Sequence, residues 1–140
     1  MNDILSFAQQ HSPMVIIWFA LIIAIIMTEL WNKKQKAPTI ESQKLVEQMN
    51  DAHTKVIDIR NQQQFRQGHI LNSKNIPWLN QDETVFKALQ NEPFVLVCQQ
   101  GQTASQLAAK LKKQGFLQVC VLAGGLNAWQ QNNLPLVKGK

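Results

Sequence analysis

Phe94-Val95-Leu96-Val97-Cys98-Gln99-Gln100-Gly101-Gln102-Thr103-Ala104 is an apolar, β-prone run that ends in a cysteine and crosses a short polar loop into a helical pattern at Thr103. A continuous apolar strand of this kind expects both faces of its sheet to be covered. A strand that hands a cysteine to a tight loop, with a helix starting directly behind it, gathers loop N–H groups and a helix N-terminus around one point. Such a point stabilises an anion and suits a thiolate nucleophile. Position alone is equally compatible with a buried cysteine closing a core strand.

Working outward, residues 103–114 place Leu107, Ala108 and Leu111 at helical spacing, with Gly115 as the stop. Residues 118–122 read as a strand, and Gly124-Gly125 turns into a last helix over 126–131 that Leu134-Pro135 closes. Upstream, 41–50 is a helix candidate with Leu45, Val46 and Met49 on one face, and 55–60 is a strand. Residues 61–67 form a short polar helix or turn anchored by Phe65, and 81–90 a helix candidate using Val85, Phe86 and Leu89. Strands alternating with helices at these spacings specify an α/β fold: a parallel sheet with helices on both faces. In such sheets ligands bind beyond the carboxyl ends of the strands, where Cys98 stands. That placement moves the reactive reading of Cys98 ahead of the buried one.

The N-terminal third is organised differently. Pro13 to Met27 contains no polar side chain, and Thr28, Glu29, Leu30 and Trp31 follow. As a helix, Met14 to Trp31 is roughly 27 Å long, enough for a thin hydrocarbon core. Trp31 suits the interface. A cleaved signal peptide lacks support, because neither a positive n-region nor a small-x-small cleavage site is present. A buried core helix, apolar all round, needs a larger protein to hide in. The flank Lys33, Lys34 and Lys36 comes after the span, so the positive-inside rule puts the C-terminal domain in the cytoplasm and the N-terminus outside. The expected organisation is a tail over 1–12, a transmembrane helix over 13–31, a basic linker over 32–38 and an α/β domain over 39–140.

Composition narrows the function. The 140 residues carry 14 Lys+Arg against 9 Asp+Glu, a formal charge of +5, but there is no Arg-rich helix and no basic stripe interleaved with aromatics. Nucleic acid is therefore not an expected partner. Two cysteines, Cys98 and Cys120, form neither a disulfide framework nor, with three histidines, a zinc site. Free thiols suit a reducing compartment. No metal or other cofactor is expected.

Several motifs together resemble one family. Val56-Ile57-Asp58-Ile59-Arg60, Phe65-Arg66-Gln67-Gly68-His69-Ile70 and Asn75-Ile76-Pro77 are similar to the first signature of rhodanese-like domains. Leu96 to Ala104 resembles their active-site loop, and Leu122-Ala123-Gly124-Gly125-Leu126-Asn127-Ala128-Trp129 with Leu134-Pro135 resembles their C-terminal signature. The resemblance spans about residues 38–137, in matching order. With the single N-terminal span, the chain resembles the small membrane-anchored rhodanese-like proteins of the bacterial inner membrane.

The resemblance implies a sulfurtransferase. Cys98 attacks a sulfane sulfur of thiosulfate or a persulfide donor, holds it as a persulfide, and passes it to a thiol or cyanide. Gln99, Gln100, Gly101, Gln102 and Thr103 are the implied substrate-binding loop, chiefly through backbone amides, with Gly101 at the bend and the Thr103 hydroxyl capping the next helix. The loop is short and no arginine closes it, unlike the longer loops of related phosphatases. Its three glutamines are neutral where active members often place Arg or Lys, and position 64 is Gln64. Weakened thiosulfate affinity follows, so a persulfide-carrying protein or another small sulfur donor is as suitable. Asp58 and Arg60 read as a supporting ion pair, the lesser reading being that Arg60 or Arg66 reaches the substrate. His69 reads as a hydrogen-bonded structural histidine, His11 and His53 as surface residues, Trp129 as core, and Cys120 as a buried small hydrophobe. The alternative is a catalytically weak interaction module of the same fold, bound to a membrane protein partner.

Overall fold

Period-two alternation along the central strands sorts their side chains into two cores. Phe94 and Leu96 join one cluster with Ile57, Val119 and Val121, while Val95 and Val97 join another with Val56 and Leu122. Each cluster needs its own covering layer, and helices supply both. The computed structural model describes residues 12–35, 37–51, 54–78 and 83–139. The chain divides into two units, Met1–Gln35 and Lys36–Lys140.

The described part of the first unit is one helix, α1 (Ser12–Gln35). Within it Pro13–Trp31 is long and apolar enough to cross a membrane, and none of these side chains is buried against the chain. The Thr28 hydroxyl donates to Ile25 O at 2.7 Å, which satisfies it without water. The expected linker over 32–38 is helical as far as Gln35, so Lys33 and Lys34 extend the helix rather than follow it. Lys36 and the tail over 1–11 lie outside the described residues.

The second unit runs β1 (Thr39–Ile40), α2 (Ser42–Asn50), β2 (Lys55–Asp58), α3 (Gln62–Gln67), β3 (Lys74–Asn75), a 3₁₀ helix (Glu83–Leu89), β4 (Phe94–Val97), α4 (Gln102–Lys113), β5 (Val119–Leu122) and α5 (Gly125–Gln131). The strands form one parallel sheet in the order β1-β5-β4-β2-β3. Helix α4, through Leu107 and Leu111, and the 3₁₀ helix, through Phe86, cover one face. Helices α2 and α5, through Leu45, Leu126 and Trp129, cover the other. Helix α4 ends as the sequence predicts. Gly115, at φ +94°, lets its N–H bond Lys112 O at 3.1 Å and the Phe116 N–H bond Leu111 O at 3.1 Å, satisfying two terminal carbonyls.

Three elements differ from expectation. Residues 83–89 are 3₁₀ rather than α, so Phe86 and Leu89 fall on one row and Val85 turns away from the core, 50% exposed. Strands β1 and β3 were not foreseen. Each is two residues long and borrows its partners from the sheet, Thr39 and Ile40 pairing with Val121 and Leu122, and Lys74 and Asn75 with Ile57 and Asp58.

Candidate active site

Strand β4 ends at Val97, opposite Asp58 of β2, and Cys98 follows at the carboxyl edge of the sheet, 6% exposed. The chain then needs to turn from strand to helix within a few residues. Gly101 makes that turn in the left-handed region at φ +88°, where glycine carries no Cβ penalty. A Cβ on it would also press on Gly124 N at 3.3 Å and Leu122 O at 3.4 Å. Beyond the turn, the first amides of α4 have no partner within the helix. The Gly101 N–H donates to Cys98 Sγ at 3.0 Å, and the Ala104 N–H reaches it at 3.4 Å. Both charge-stabilising donors are backbone groups fixed by the fold, so they need no reorganisation to meet a sulfur anion.

Within the expected loop, the Gly101 amide reaches the sulfur, and the second donor, from Ala104, lies one residue beyond it. The N-cap position of α4 is Gly101 rather than Thr103, and no side chain caps the helix. Thr103 is already inside α4 and exposed to solvent, as are Gln99, Gln100 and Gln102. A hydroxyl caps from outside the first turn, which is why Thr103 cannot do so.

Helix α5 backs the loop from the other side. The Leu126 N–H donates to Cys98 O at 3.0 Å and the Asn127 N–H to Gln99 O at 3.1 Å. That approach is possible because position 125 is glycine: a Cβ there would lie 2.4 Å from Cys98 O and 2.8 Å from Gln99 C. The Gln99 side chain ties the loop again, donating to Asn127 Oδ1 at 2.6 Å and accepting from Arg60 Nη1 at 3.2 Å.

Asp58 and Arg60 make the ion pair that their spacing suggests. Arg60 Nε sits 3.1 Å from both carboxylate oxygens and Nη2 is 2.8 Å from Oδ2, with the two side chains 9% and 1% exposed. Arg60 Nη2 also donates to Gly68 O at 2.7 Å. Asn75 holds the strand end below them, donating to Asp58 O at 3.0 Å and Arg60 O at 2.9 Å. The guanidinium therefore braces β2, α3 and the cysteine loop, with its charge balanced by Asp58. Arg66 is exposed on α3.

His69 is buried, stacked on Phe65 with centroids 3.8 Å apart, and its Nδ1 lies 2.9 Å from Phe65 O. Trp129 packs in the core and its Nε1–H donates to Pro135 O at 3.0 Å. His11 and His53 lie outside the described residues. Cys120 is half-buried rather than buried, and both cysteines are free. Burial pushes the Cys120 thiol up from its ordinary value, with Lys112 opposing. Among the described residues, no three His, Cys, Asp or Glu side chains gather as a metal-ligating group. Asn127 and the Ala104 amide were missed as site components. Asn127 stood inside a quoted motif, but nothing in the residues themselves tells that its side chain meets Gln99 across the fold.

The model of the rhodanese-like domain matches residues 41–132. A protein of Escherichia coli K12, YibN, described as uncharacterized, is 32% identical over 143 residues, covering 100% of both chains. The thiosulfate sulfurtransferase GlpE of Pseudomonas aeruginosa is 34% identical over 85 residues, 61% of this chain and 77% of that one. Among solved structures, a rhodanese-related protein from Thermoplasma volcanium superposes with a TM-score of 0.62 at 25% identity, over 73% of this chain and 99% of that one.

Proposed function

This chain belongs to the rhodanese-like family, and from that premise we propose that it is a membrane-anchored sulfurtransferase that carries sulfane sulfur as a persulfide on Cys98. One observation carries the reading: a cysteine at a strand's carboxyl end whose sulfur already accepts N–H bonds from Gly101 and Ala104. The thiolate attacks the outer sulfur of the donor, a Cys98 Sγ–S bond forms, and the donor's sulfur–sulfur bond breaks to release sulfite from thiosulfate or a thiolate from a persulfide. An acceptor thiolate then takes the outer sulfur and returns Cys98 to its starting state. The two amides stabilise the anionic sulfur in both steps. Gln99, braced by Arg60 and Asn127, keeps the loop in the one shape that aims both amides at Sγ.

The apolar helix anchors this chemistry to the bacterial inner membrane in a single pass, with the domain on the cytoplasmic side that Lys33 and Lys34 favour. Intact mass after incubation with thiosulfate or a persulfide donor tests the chemistry. Wild type gains one sulfur atom and Cys98→Ser does not; a wild type that gains none from either donor leaves the interaction module as the reading. Protease digestion of spheroplasts tests the topology, which fails if the domain is cut from outside.

A further inference from the structure

All the strands run the same way, so each begins at one edge of the sheet and ends at the other, where Cys98 follows β4. The chain enters this unit at the amino edge. Ala37 and Pro38 lead into β1, and the Val121 N–H donates to Pro38 O at 3.0 Å. Only residues 36–38 separate Gln35, the end of α1, from Thr39. Fully extended, that stretch of chain reaches at most about 14 Å. The amino edge is therefore the tethered edge of the sheet.

That edge is basic. Lys55, Phe94 and Val119 lie in register at the starts of β2, β4 and β5. Lys55 and Lys74 line one hollow there, ≈ 430 Å³, together with Asn72. Helix α4 returns from the carboxyl edge and ends beside the 3₁₀ helix, where Gln90 Nε2 donates to Gln114 O at 3.4 Å. The last turns of these two helices carry Lys87 and, on α4, Lys112 and Lys113. Among the described residues, the carboxylates at this edge are Asp51, which ends α2, and Glu92, which pairs with Lys55. The two most exposed large apolar side chains described in this unit stand in turns at the same edge. Leu117, 83% exposed, comes just before β5, and Leu71, 57% exposed, adjoins Asn72. Strands β5 and β3 are three spacings apart, about 14 Å, so the two leucines form separate contact points. Projecting leucines among lysines match a layer of anionic headgroups over hydrocarbon, which takes up both. The carboxyl edge differs: Asp58 balances Arg60, and the loop exposes Gln99, Gln100 and Gln102.

Resting on the membrane anchor proposed above, we infer that the amino edge of the sheet docks on an anionic phospholipid surface. Leu71 and Leu117 enter the headgroup layer, and Lys74, Lys87, Lys112 and Lys113 meet lipid phosphates. The central strand is four residues long, about 13 Å. Docking by the amino edge therefore holds the Cys98 loop on the far, aqueous side, open to soluble partners and away from the headgroup phosphates.

The test uses the full chain in nanodiscs of phosphatidylcholine, alone or mixed with an equal part of phosphatidylglycerol. Co-elution of the chain with neutral discs reads the anchor by itself; a chain that stays out of them sinks the anchor and this inference together. Leu117→Cys, in a Cys98→Ala/Cys120→Ala background, carries a nitrobenzoxadiazole fluorophore. Gln63→Cys, exposed on α3 at the carboxyl edge, is the matched probe. In anionic discs the probe at position 117 brightens at least twofold over neutral discs and the probe at position 63 does not. About 1 M salt, which shortens the screening length to about 3 Å, reverses the gain. Lys112→Gln/Lys113→Gln at least halves it. An anchored chain whose two probes respond alike, or whose probe at position 117 reads the same in both lipids, overturns the docking while leaving the anchor standing. A second readout needs no variant: acetylation of the wild-type chain by a water-soluble ester, mapped by mass spectrometry. Lys74 and Lys113 react at least threefold more slowly in anionic discs than in neutral ones, relative to Lys44, exposed in the first turn of α2 beyond the carboxyl end of β1. Equal slowing of all three lysines, or of none, refutes the proposed orientation.

Discussion

Placing one methyl group at Gly125 tests whether the close approach of α5 to the cysteine loop is what holds that loop. In Gly125→Ala the new Cβ lies 2.4 Å from Cys98 O and 2.8 Å from both Gln99 C and Gln99 O. All three are backbone atoms, so no side chain can swing away. The loop and α5 need to separate by about 1 Å to reach ordinary contact, a displacement on the scale of overpacking that costs about 1–3 kcal/mol. Separation also weakens the bonds from Leu126 N–H and Asn127 N–H to Cys98 O and Gln99 O, at roughly 0.5–1.5 kcal/mol each. A further cost of about 1–2 kcal/mol comes from putting a Cβ at φ +60°. The sum is roughly 3–8 kcal/mol. Gly139→Ala is the matched control, because Gly139 is at φ +97° with nothing within 4 Å of its Cβ site, so it carries only the left-handed cost. Calorimetry of the full chain reads both. For a domain near 100 residues, about 1 kcal/mol shifts Tm by roughly 4–8 °C. Gly139→Ala therefore loses roughly 4–16 °C. Gly125→Ala loses at least about twice as much or fails to accumulate folded protein. Equal shifts in the two variants would falsify the argument that the clash with Cys98 and Gln99 matters.

Arg60→Ala strands the Asp58 carboxylate, 1% exposed, without its partner, at a cost of about 3–5 kcal/mol; a loss under about 1 kcal/mol in urea unfolding contradicts the brace described above. Arg60→Lys keeps the charge but not the fork, and falls between wild type and Arg60→Ala in the same assay. Asn61→Ala removes the acceptor for the Gln64 N–H at 2.8 Å and costs about 1 kcal/mol, measured by the same unfolding curves; no change means that water caps α3 equally well. In Cys98→Ala, where Cys120 is the remaining thiol, iodoacetamide labelling rises with pH through an inflection above the ordinary thiol value of 9.0, because burial disfavours the thiolate. The sign for stability follows: above that ordinary value the unfolded thiol ionises first, so Cys120 lowers folding stability as pH climbs toward its folded value. An inflection at or below 9.0 overturns this reading.

What the sequence could and could not disclose divides by how far a residue's partner lies along the chain. Strand β4 was legible because four consecutive apolar residues, buried on both faces, carry their own signal. Helix α4 was legible because Leu107, Ala108 and Leu111 repeat at helical spacing and Gly115 ends the run. Strands β1 and β3 were not, since a two-residue strand has no period and exists only through the ladder of β5 or β2. Val85 was misplaced for a related reason: α and 3₁₀ geometries put different neighbours of Phe86 inward, and the residues 83–89 do not choose between them locally. The site follows the same rule. A cysteine at a strand end, a glycine turn and a helix start are neighbours in sequence, so the amide cradle was foreseeable in kind, though the second donor came from Ala104. The bracing is non-local. Gln99 meets Arg60, 39 residues away, and Asn127, 28 residues away, and Gly125 reads as a turn until the distance to Cys98 O shows why no side chain fits. The cysteine and its amide cradle are thus written in one short stretch, while the rigidity that keeps the two donors aimed is distributed over three. On the proposed sulfurtransferase reading, substitutions at Gly125, Arg60 and Asn127 are therefore expected to impair sulfur loading without touching Cys98, through the loop's geometry rather than through its charge.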